Sequence, residues 1–496
     1  MLPDFSLLMP ELFLFCWAIL LFVLDLFFLK GRKDILAYVA LAGLAITIVI
    51  ACMTPPGRTF GRTFISDGFT FFFNIIFLAS TMIAVASSGQ FSEKLKYHRG
   101  EYYGLILMST VGMMFIASAG EMISLYVALE LTTITLFILA AYRKTRIESS
   151  EAGLKYLILG AISSAILLYG MSMIYGATGT TDLGAMRALM AAKLNQGIIK
   201  VAWDVHVLGM VIMIAGLAFK LAVVPFHMWA PDVYEGAPTP ITSYLSVASK
   251  AAGLAAMIRI LIGAFRIDAL MEDWGLVIAV LAALAMIVGN ITAVLQTNIK
   301  RMLAYSSIAQ AGYILIGLVA MSRFFGTGGD RPWELGISSL SFYMFGYMFA
   351  NMGAFAVAIA FSHQHDSDQI KDYAGLAKRS PLLAAAMSVF LLSLAGIPPL
   401  VGFMAKYYVF ASAIAAGGYL WLVFIGVLTS VIALFYYAYI IKQMYFEEAA
   451  ESAVKVRVAP MLAATIALTF IGTIAIGIYP QPFVSLAEKA VAVFGG

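Results

Sequence analysis

The stretch that decides the fold reads Gly216-Leu-Ala-Phe-Lys220-Leu-Ala-Val-Val-Pro225-Phe-His227, with a lysine and a proline inside an otherwise apolar run. A charged side chain at mid-bilayer costs about 2.5–3.5 kcal/mol on insertion scales, so it needs a partner, a cavity or a neutral protonation state. Proline inside a helix frees a backbone carbonyl group. Since freed backbone groups in a membrane must be met by protein or water, the stretch predicts a broken membrane helix beside a polar cavity.

The composition of the whole chain is that of a membrane protein. Of the 496 residues, 62% are hydrophobic and 12% are charged, whereas soluble domains carry about 25% charged residues. The mean hydropathy is +0.94. Apolar runs of roughly 17–25 residues recur along the chain, and each can cross a hydrocarbon core about 30 Å thick as a helix. A water-soluble protein is therefore excluded.

Several other classes of protein are also disfavoured. The first apolar run, residues 5-29, is too long for a signal-peptide core and lacks a basic start and a cleavage site, so we interpret it as a retained helix. Cys16 and Cys52 lie in apolar runs without metal-ligand spacing, so neither a metal site nor a disulfide framework is supported. A net charge of +4, spread over many loops, forms no basic patch for nucleic acid.

The hydropathy pattern predicts an all-α polytopic membrane protein of about fourteen transmembrane helices. The spans lie near residues 5-29, 35-53, 68-87, 102-118, 121-142, 155-178, 205-224, 241-264, 275-294, 300-320, 335-361, 381-397 with 400-415, 418-441 and 458-479. The breaks at Pro225 and Pro398 lie about five spans apart, which indicates two inverted five-helix repeats with one discontinuous helix each. Aligning the two prolines places Ser393, and not Lys406, opposite Lys220.

These spans divide the chain into four parts. Residues 1-90 hold the first three helices, 91-265 the first repeat, 266-446 the second repeat and 447-496 the C-terminal helix. Fourteen crossings put both termini on one side. The loops after odd-numbered spans hold 18 basic residues against 10 in the other set, with Arg259 counted near a helix end. The positive-inside rule therefore predicts both termini on the outer face of the cell inner (plasma) membrane.

Four charged residues are left inside the apolar runs: Glu130, Lys220, Lys250 and Lys406. Burial disfavours the charged form of an ionisable group and a nearby opposite charge restores it, so a glutamate and a lysine that approach and separate can take up and release a proton. The four residues together therefore favour a proton-conducting path. The competing interpretation is a structural ion pair, or lysines that extend to the membrane surface.

Neutral polar residues extend this hypothesis. His227, just after the first break, is a further relay candidate because imidazole exchanges protons near physiological pH, although a lone histidine is more often simply hydrogen-bonded. Residues that can either hold water between the charges or pack between helices are Asn290, Thr292, Gln296, Tyr305, Ser306, Ser307 and Gln310.

Several longer motifs resemble the antiporter-like membrane subunits of NADH-quinone oxidoreductase, respiratory complex I. The motifs are Gly216-Leu-Ala-Phe-Lys-Leu-Ala-Val-Val-Pro-Phe-His-Met-Trp-Ala-Pro-Asp-Val-Tyr-Glu-Gly-Ala-Pro-Thr-Pro240, Ala248-Ser-Lys250, Gln296-Thr-Asn-Ile-Lys-Arg-Met-Leu-Ala-Tyr-Ser-Ser307, Leu392-Ser-Leu-Ala-Gly-Ile-Pro398 and Gly402-Phe-Met-Ala-Lys-Tyr407. The resemblance runs from about residue 65 to residue 480. Lys250 and the stretch Pro-Asp-Val-Tyr-Glu-Gly favour the subunit N group of this family, whereas Pro399 departs from the family pattern.

The resemblance implies fourteen helices, two inverted repeats with discontinuous seventh and twelfth helices, and redox-driven proton translocation by a larger complex. It matches Glu130 to the family's fifth-helix glutamate, and Lys220, Lys250 and Lys406 to its lysines of the seventh, eighth and twelfth helices. The implied partners are the lipid bilayer and other membrane subunits of complex I, including sister antiporter-like subunits. Flavin, iron-sulfur clusters and quinone would belong to other subunits, so we expect no cofactor and no redox chemistry in this chain alone.

Two other functions stay open at this point. A cation/proton antiporter subunit would use the same charged residues, although sodium transport would call for more oxygen ligands than Glu130 supplies. A structural membrane scaffold would need the charges only for assembly.

Overall fold

The computed structural model describes residues 3–28, 35–93, 99–195, 205–323, 332–449 and 455–495. Some of the basic residues that predict the orientation lie outside these ranges, namely Lys30, Arg32, Lys33, Lys94, Lys96, Lys200 and Arg331. The last residue of the predicted first span, 5-29, also lies outside them.

Helices dominate the described residues from one end of the chain to the other. The first are α1 Met9–Val23, α2 Ile35–Met53, α3 Gly68–Ser87, α4 Gly89–Glu93, α5 Arg99–Ser118, α6 Met122–Ala140 and α7 Ile147–Thr178. There follow α8 Leu183–Asn195, α9 Val205–Leu221, α10 Trp229–Gly236, α11 Thr239–Tyr244, α12 Lys250–Gly263, α13 Asp268–Val294 and α14 Ile299–Met321. The last are α15 Pro332–His365, α16 Leu376–Arg379, α17 Pro381–Ala395, α18 Val401–Ala416, α19 Leu420–Phe446, α20 Pro460–Ile478 and α21 Gln481–Val491.

Twelve helices of the described ranges are long and apolar enough to cross a membrane, so the chain is a multi-pass membrane protein. The predicted spans 205-224 and 381-415 correspond instead to the shorter apolar helices α9, α17 and α18. The all-helical class is confirmed, and the count of fourteen stays a prediction. The sequence analysis missed one short antiparallel hairpin, β1 Gly57–Thr59 and β2 Phe64–Ser66, which joins α2 to α3.

Polar side chains mark where several of these apolar helices begin. The first turn of a helix has backbone N–H groups without intrahelical partners, and a side-chain oxygen can accept from them. Asp67 accepts from Thr70 N at 2.8 Å at the start of α3, and Glu121 accepts from Ser124 N at 2.9 Å at the start of α6. Asn298 does the same for α14. These caps fix helix boundaries that hydropathy alone leaves uncertain.

Both predicted helix breaks are present. Helix α9 ends at Leu221, and the indole of Trp229 in α10 donates to the Phe219 carbonyl at 3.0 Å, which satisfies a backbone group near the break. Helix α17 ends at Ala395 and is followed by Gly396, which has a φ of +94°. At the start of α18, a Cβ on Gly402 would lie 1.8 Å from the Ser393 carbonyl oxygen, so only glycine permits this close approach.

The first and last described segments lie at the same end of the helix bundle. Asp4 N donates to Thr59 Oγ1 in β1 at 2.9 Å, so the N-terminal segment lies beside the hairpin. The Phe494 ring packs edge-on against Phe69, in the first turn of α3, with the ring centres 5.2 Å apart. Both segments therefore lie beside the beginning of α3.

Arg259, counted near a helix end in the sequence analysis, lies about one turn before the end of α12, but it is buried and does not belong to a loop. It lies inside α12, is only 4% exposed, and donates to both oxygens of Asp67 at 2.8 and 2.7 Å. The rings of Phe69 and Phe494 pack against its guanidinium group. A buried arginine is tolerated here because the carboxylate of Asp67 neutralises it. Because Arg259 does not belong to a loop, the smaller of the two loop sets holds fewer basic residues. The excess of basic residues in the larger set therefore increases.

Candidate functional site

Glu130 lies midway along α6 and is half-buried. Its Oε1 accepts a hydrogen bond from Ser164 of α7 at 2.5 Å. Its neighbours one turn away on the same helix, Val127 and Ile134, are 60% and 51% exposed. Because positions three or four apart share one face of a helix, Glu130 lies at the edge of the outward-facing side of α6.

Lys220 lies in the last turn of α9 and is 5% exposed. Its Nζ donates to Thr133 Oγ1 of α6 at 2.6 Å, and the Glu130 carboxylate attracts it through space. Thr133 follows Glu130 by three residues, so both face the same side of α6. One turn of α6 therefore brings together the glutamate and the hydroxyl group that accepts from the lysine.

Lys250 begins α12 and is 2% exposed. Its Nζ donates to the backbone carbonyl of Ser307 in α14 at 2.5 Å. The hydroxyl groups of Ser307, Tyr234 and Tyr347 are also buried and lie close together, and none has a partner of full hydrogen-bond geometry among the described residues. Buried hydroxyl groups of this kind commonly bind internal water.

Lys406 lies in α18 and is 5% exposed. Its Nζ donates to the Ala395 carbonyl at 2.9 Å and to Ser430 Oγ at 3.1 Å, and it lies 4.5 Å from the centre of the Tyr313 ring. Ala395 is the last residue of α17, so the ammonium group lies at the negative end of the helix dipole. The broken helix thus supplies part of the binding site for its own lysine.

Buried hydroxyl and amide groups lie between α13, α14 and α19. Asn290 donates to Tyr313 OH at 3.0 Å, Tyr313 OH donates to Thr429 at 3.0 Å, and Tyr436 OH donates to Asn290 at 3.1 Å. Two further contacts join Ser306 to Tyr437 and Gln310 to Tyr343. The sequence analysis named Asn290, Ser306 and Gln310, but it missed the tyrosines, because a tyrosine inside an apolar run has no distinguishing pattern.

The other polar candidates have weaker links to this group. His227 lies between α9 and α10 and is half-buried, and its Nδ1 has no hydrogen-bond partner. No hydrogen bond in the described ranges joins His227 to any of the four charged residues. Gln296 donates to its own helix at Thr292 O, and Tyr305 is only partly buried.

A charged cavity of about 680 Å³ lies at the other end of the bundle from the described terminal segments. Helix α6 begins beside the hairpin, where Gly120 N donates to Thr63 O, and the cavity lining begins just after this helix ends. Arg301 of α14 donates to Asp232 at 2.7 Å and to Glu235 at 2.9 Å. The sequence analysis missed both this ion-pair group and the buried lysine beside it, Lys300, because it placed these residues near helix ends.

The fold and these buried groups define a multi-pass membrane protein with a polar axis inside its helix bundle. Residues 119–433 match the family model described as "NADH:quinone oxidoreductase/Mrp antiporter, TM". The NADH-quinone oxidoreductase subunit N of Desulforamulus reducens is 42% identical over 493 residues, which is 99% of each chain. The corresponding protein of Moorella thermoacetica is 45% identical over 94% of this chain and 93% of its own length.

A solved structure agrees with these relatives. One chain of respiratory complex I from Thermus thermophilus, determined with bound aureothin, superposes with a TM-score of 0.79 at 30% identity. The match covers 97% of this chain and 100% of the Thermus chain. The chain therefore belongs to the NADH:quinone oxidoreductase/Mrp antiporter family, in the group of NADH-quinone oxidoreductase subunit N.

Proposed function

We propose that this chain is a proton-translocating membrane-arm subunit of an NADH-quinone oxidoreductase, in which other subunits supply the redox energy and sister antiporter-like subunits are partners. One observation carries the proposal. In the described ranges, Lys220, Lys250 and Lys406 donate to hydroxyl or carbonyl oxygens, and no carboxylate lies within ion-pair distance of them. A buried lysine without a fixed counter-ion can exist with or without its proton, as a relay requires.

The first step of the proposed path joins Glu130 and Lys220. When the carboxylate is ionised, its attraction stabilises the proton on Lys220 Nζ, and Thr133 holds this ammonium group near the glutamate. When Glu130 takes up a proton or its attraction weakens, burial favours release of the proton from Lys220. The redox energy supplied by the other subunits would change the attraction between Glu130 and Lys220.

The later steps use the neutral groups of the bundle interior. Lys250 receives the proton, and the hydroxyl groups of Ser307, Tyr234 and Tyr347 provide positions for water beside it. The hydrogen-bonded group around Asn290 and Tyr313 leads to Lys406, which lies against the Tyr313 ring. Lys406 is the last relay of the path, and His227 remains an optional relay near the first break.

We further propose that the chain crosses the membrane fourteen times. Twelve crossings are the long apolar helices, one is α9, and one is formed by α17 and α18 together. The two breaks lie in the corresponding members of two inverted five-helix repeats, at 91-265 and 266-446, with residues 1-90 and 447-496 outside them. An even number of crossings agrees with terminal segments that meet beside α3. The basic residues then favour both termini on the outer face of the cell inner membrane.

Two other functions are less well supported. A cation/proton antiporter needs a site with several oxygen ligands, but the carboxylate of Glu130 has only the Ser164 hydroxyl group as a partner in the described ranges. A structural scaffold would pair its buried charges, as Arg259 and Asp67 do, whereas no ion pair of the three lysines is present within the described part of the chain.

Single substitutions of the charged groups test the proposal. We expect Lys220→Ala, Glu130→Gln and Lys406→Ala to lower proton pumping per assembled complex by about 100-fold, the usual lower contribution of a positioned proton-transfer group. Pumping is measured with a pH-sensitive dye in inverted membrane vesicles supplied with NADH and a quinone. The amount of assembled complex is measured separately in the same membranes.

Lys442→Ala is the matched control, because the Lys442 side chain is 61% exposed and pairs only with Glu447. It should leave both pumping and assembly unchanged. If the three test variants reduce assembly while each assembled complex pumps normally, the chain is a scaffold and the relay proposal is wrong.

A further inference from the structure

A buried carboxylate lies far along the chain from the proposed proton path. Glu11, the third residue of α1, is 1% exposed, and its Oε1 accepts from Asn74 Nδ2 of α3 at 3.1 Å. No lysine or arginine in the described ranges forms an ion pair with it. The first turn of a helix favours a negative charge, but burial disfavours one, so an ionised Glu11 needs a positively charged partner.

Two oxygen atoms of this pair have no partner. Glu11 Oε2 and Asn74 Oδ1 are both buried without a hydrogen bond, and Asn74 itself is only 3% exposed. An unpaired buried acceptor is costly, and an unpaired buried charge costs more. A group that donates hydrogen bonds and carries positive charge would satisfy both oxygens and neutralise an ionised Glu11.

Both side chains line a cavity of about 290 Å³ between α1, α2, α3 and the hairpin. Thr54 and Ser66 in the same lining donate their hydroxyl hydrogens to Ile50 O and Pro55 O, so their oxygens add acceptors and no free donor. Asp67 and Thr70 also line the cavity, and both are bonded to Arg259. The rest of the wall is mainly apolar, with Leu7, Pro10, Ala51, Pro56, Phe64 and Phe71. Such a cavity suits an ammonium group carried on a larger, partly apolar molecule.

The position of the cavity indicates the source of that group. It lies where α1 and α3 begin and α2 ends, and therefore at the surface level of the membrane. Nearby side chains face outward, with Met53 78% and Phe71 37% exposed. Lipid headgroups occupy this level, and the apolar part of the wall fits the glycerol and acyl portions of such a molecule.

From these observations we propose that Glu11 and Asn74 form a binding site for the primary ammonium group of a phospholipid headgroup. The ammonium group donates to Glu11 Oε2 and Asn74 Oδ1, and the glycerol and acyl portions lie along the apolar wall toward the membrane. The bound lipid joins the first three helices at their outward-facing side. This site is separate from the residues of the proton path.

A series of lipids tests the site in the intact complex. Complex purified in mild detergent is mixed with dioleoyl phosphatidylethanolamine, its N-methyl and N,N-dimethyl forms, or phosphatidylcholine, and retained lipid is measured by native mass spectrometry. The series removes N–H donors one at a time and keeps the positive charge. We expect retention to fall stepwise, by about tenfold overall, as for loss of a hydrogen bond to a charged group.

Glu11→Gln should retain all four lipids alike, whereas Glu272→Gln, at an exposed position in α13, should behave as the unmodified protein. If Glu11→Gln does not assemble, Asn74→Leu removes one of the two acceptors, keeps the carboxylate and should reduce the difference in retention between phosphatidylethanolamine and its methylated forms. Equal retention of the four lipids by the unmodified protein would overturn the proposal. Displacement of the lipid by ethanolamine or by sodium chloride would overturn it too, because the site would then take a free amine or a metal ion.

Discussion

Thr133 is the residue that joins the two best-defined charges of the proposed path. Its hydroxyl group accepts from Lys220 Nζ at 2.6 Å and donates to Leu129 O at 2.6 Å. Thr133→Val keeps the shape of the side chain but leaves a buried ammonium group without its acceptor, at a cost of about 1–3 kcal/mol. We expect pumping per assembled complex to fall, measured in inverted vesicles.

Thr135→Val is the control for this prediction, because Thr135 lies on the same helix and donates only to Leu131 O and Thr132 O in its own backbone. It should pump normally. An equal loss of pumping in Thr133→Val and Thr135→Val would mean that both substitutions act through the packing of α6. Thr133 would then have no special role in holding Lys220.

Single residues differ in how well sequence alone predicts them. Glu130, Lys220, Lys250 and Lys406 are predictable because a charge inside an apolar run is costly and therefore rare. Glu11 and Arg259 are missed because each lies close enough to the end of an apolar run to be taken for a surface residue. Their burial depends on partners 63 and 192 residues away in the chain, Asn74 and Asp67, which no local pattern reveals.

At the scale of the element, the short helix α10 is held by ion pairs on two sides. Asp232 accepts from Lys155 of α7 at 2.7 Å and from Arg301 of α14 at 2.7 Å, and Glu235 accepts from Arg301 at 2.9 Å. The groups are about one-third exposed, so water weakens each pair, and we assign about 1 kcal/mol to the set joined by Arg301. Helix α10 follows the first break, and these ion pairs hold it there together with its buried residues, Trp229 and Tyr234 among them.

Arg301→Met should loosen α10 while keeping most of the apolar length of the side chain. We expect faster amide hydrogen exchange at residues 229–236, because local opening becomes easier by the free energy of the lost pairs. Lys442→Met, which removes a surface pair on α19, should leave exchange in this segment unchanged. Unchanged exchange in Arg301→Met would show that packing alone fixes α10.

The hydropathy pattern predicts the long helices and the two helix breaks better than it predicts any other feature of the fold. Runs of apolar residues predict the membrane helices, and the proline at each break predicts where a helix is interrupted. Both predictions work because backbone groups in a membrane must be satisfied within helices or in protein-lined cavities. Helix α10 is missed because it has only eight residues, and a proline and two acidic residues interrupt its apolar positions. The hairpin is missed because its strands have three residues each, too few for a recognisable alternation.

At the scale of the whole molecule, orientation in the membrane follows from charge and from where the ends meet. The described N-terminal and C-terminal segments lie beside the beginning of α3, and the charged cavity lies at the opposite end of the bundle. Basic residues are retained on the inner side of the membrane. Glu488 in α21 should therefore face outward and Lys371, in the short helical turn after α15, should face inward.

Single cysteines at these two exposed positions distinguish the orientations. In a background where Cys16→Ala and Cys52→Ala remove the exposed natural thiols, intact cells are treated with a maleimide that does not cross membranes. We expect labelling of Glu488→Cys in intact cells and of Lys371→Cys only after permeabilisation, since the membrane shields the inner face. The reverse pattern would place both termini inside and invert the direction of the proposed path. Labelling of both variants in intact cells would mean an even number of crossings between them, whereas the fourteen-helix arrangement places three there, namely the pair α17 and α18, α19 and α20.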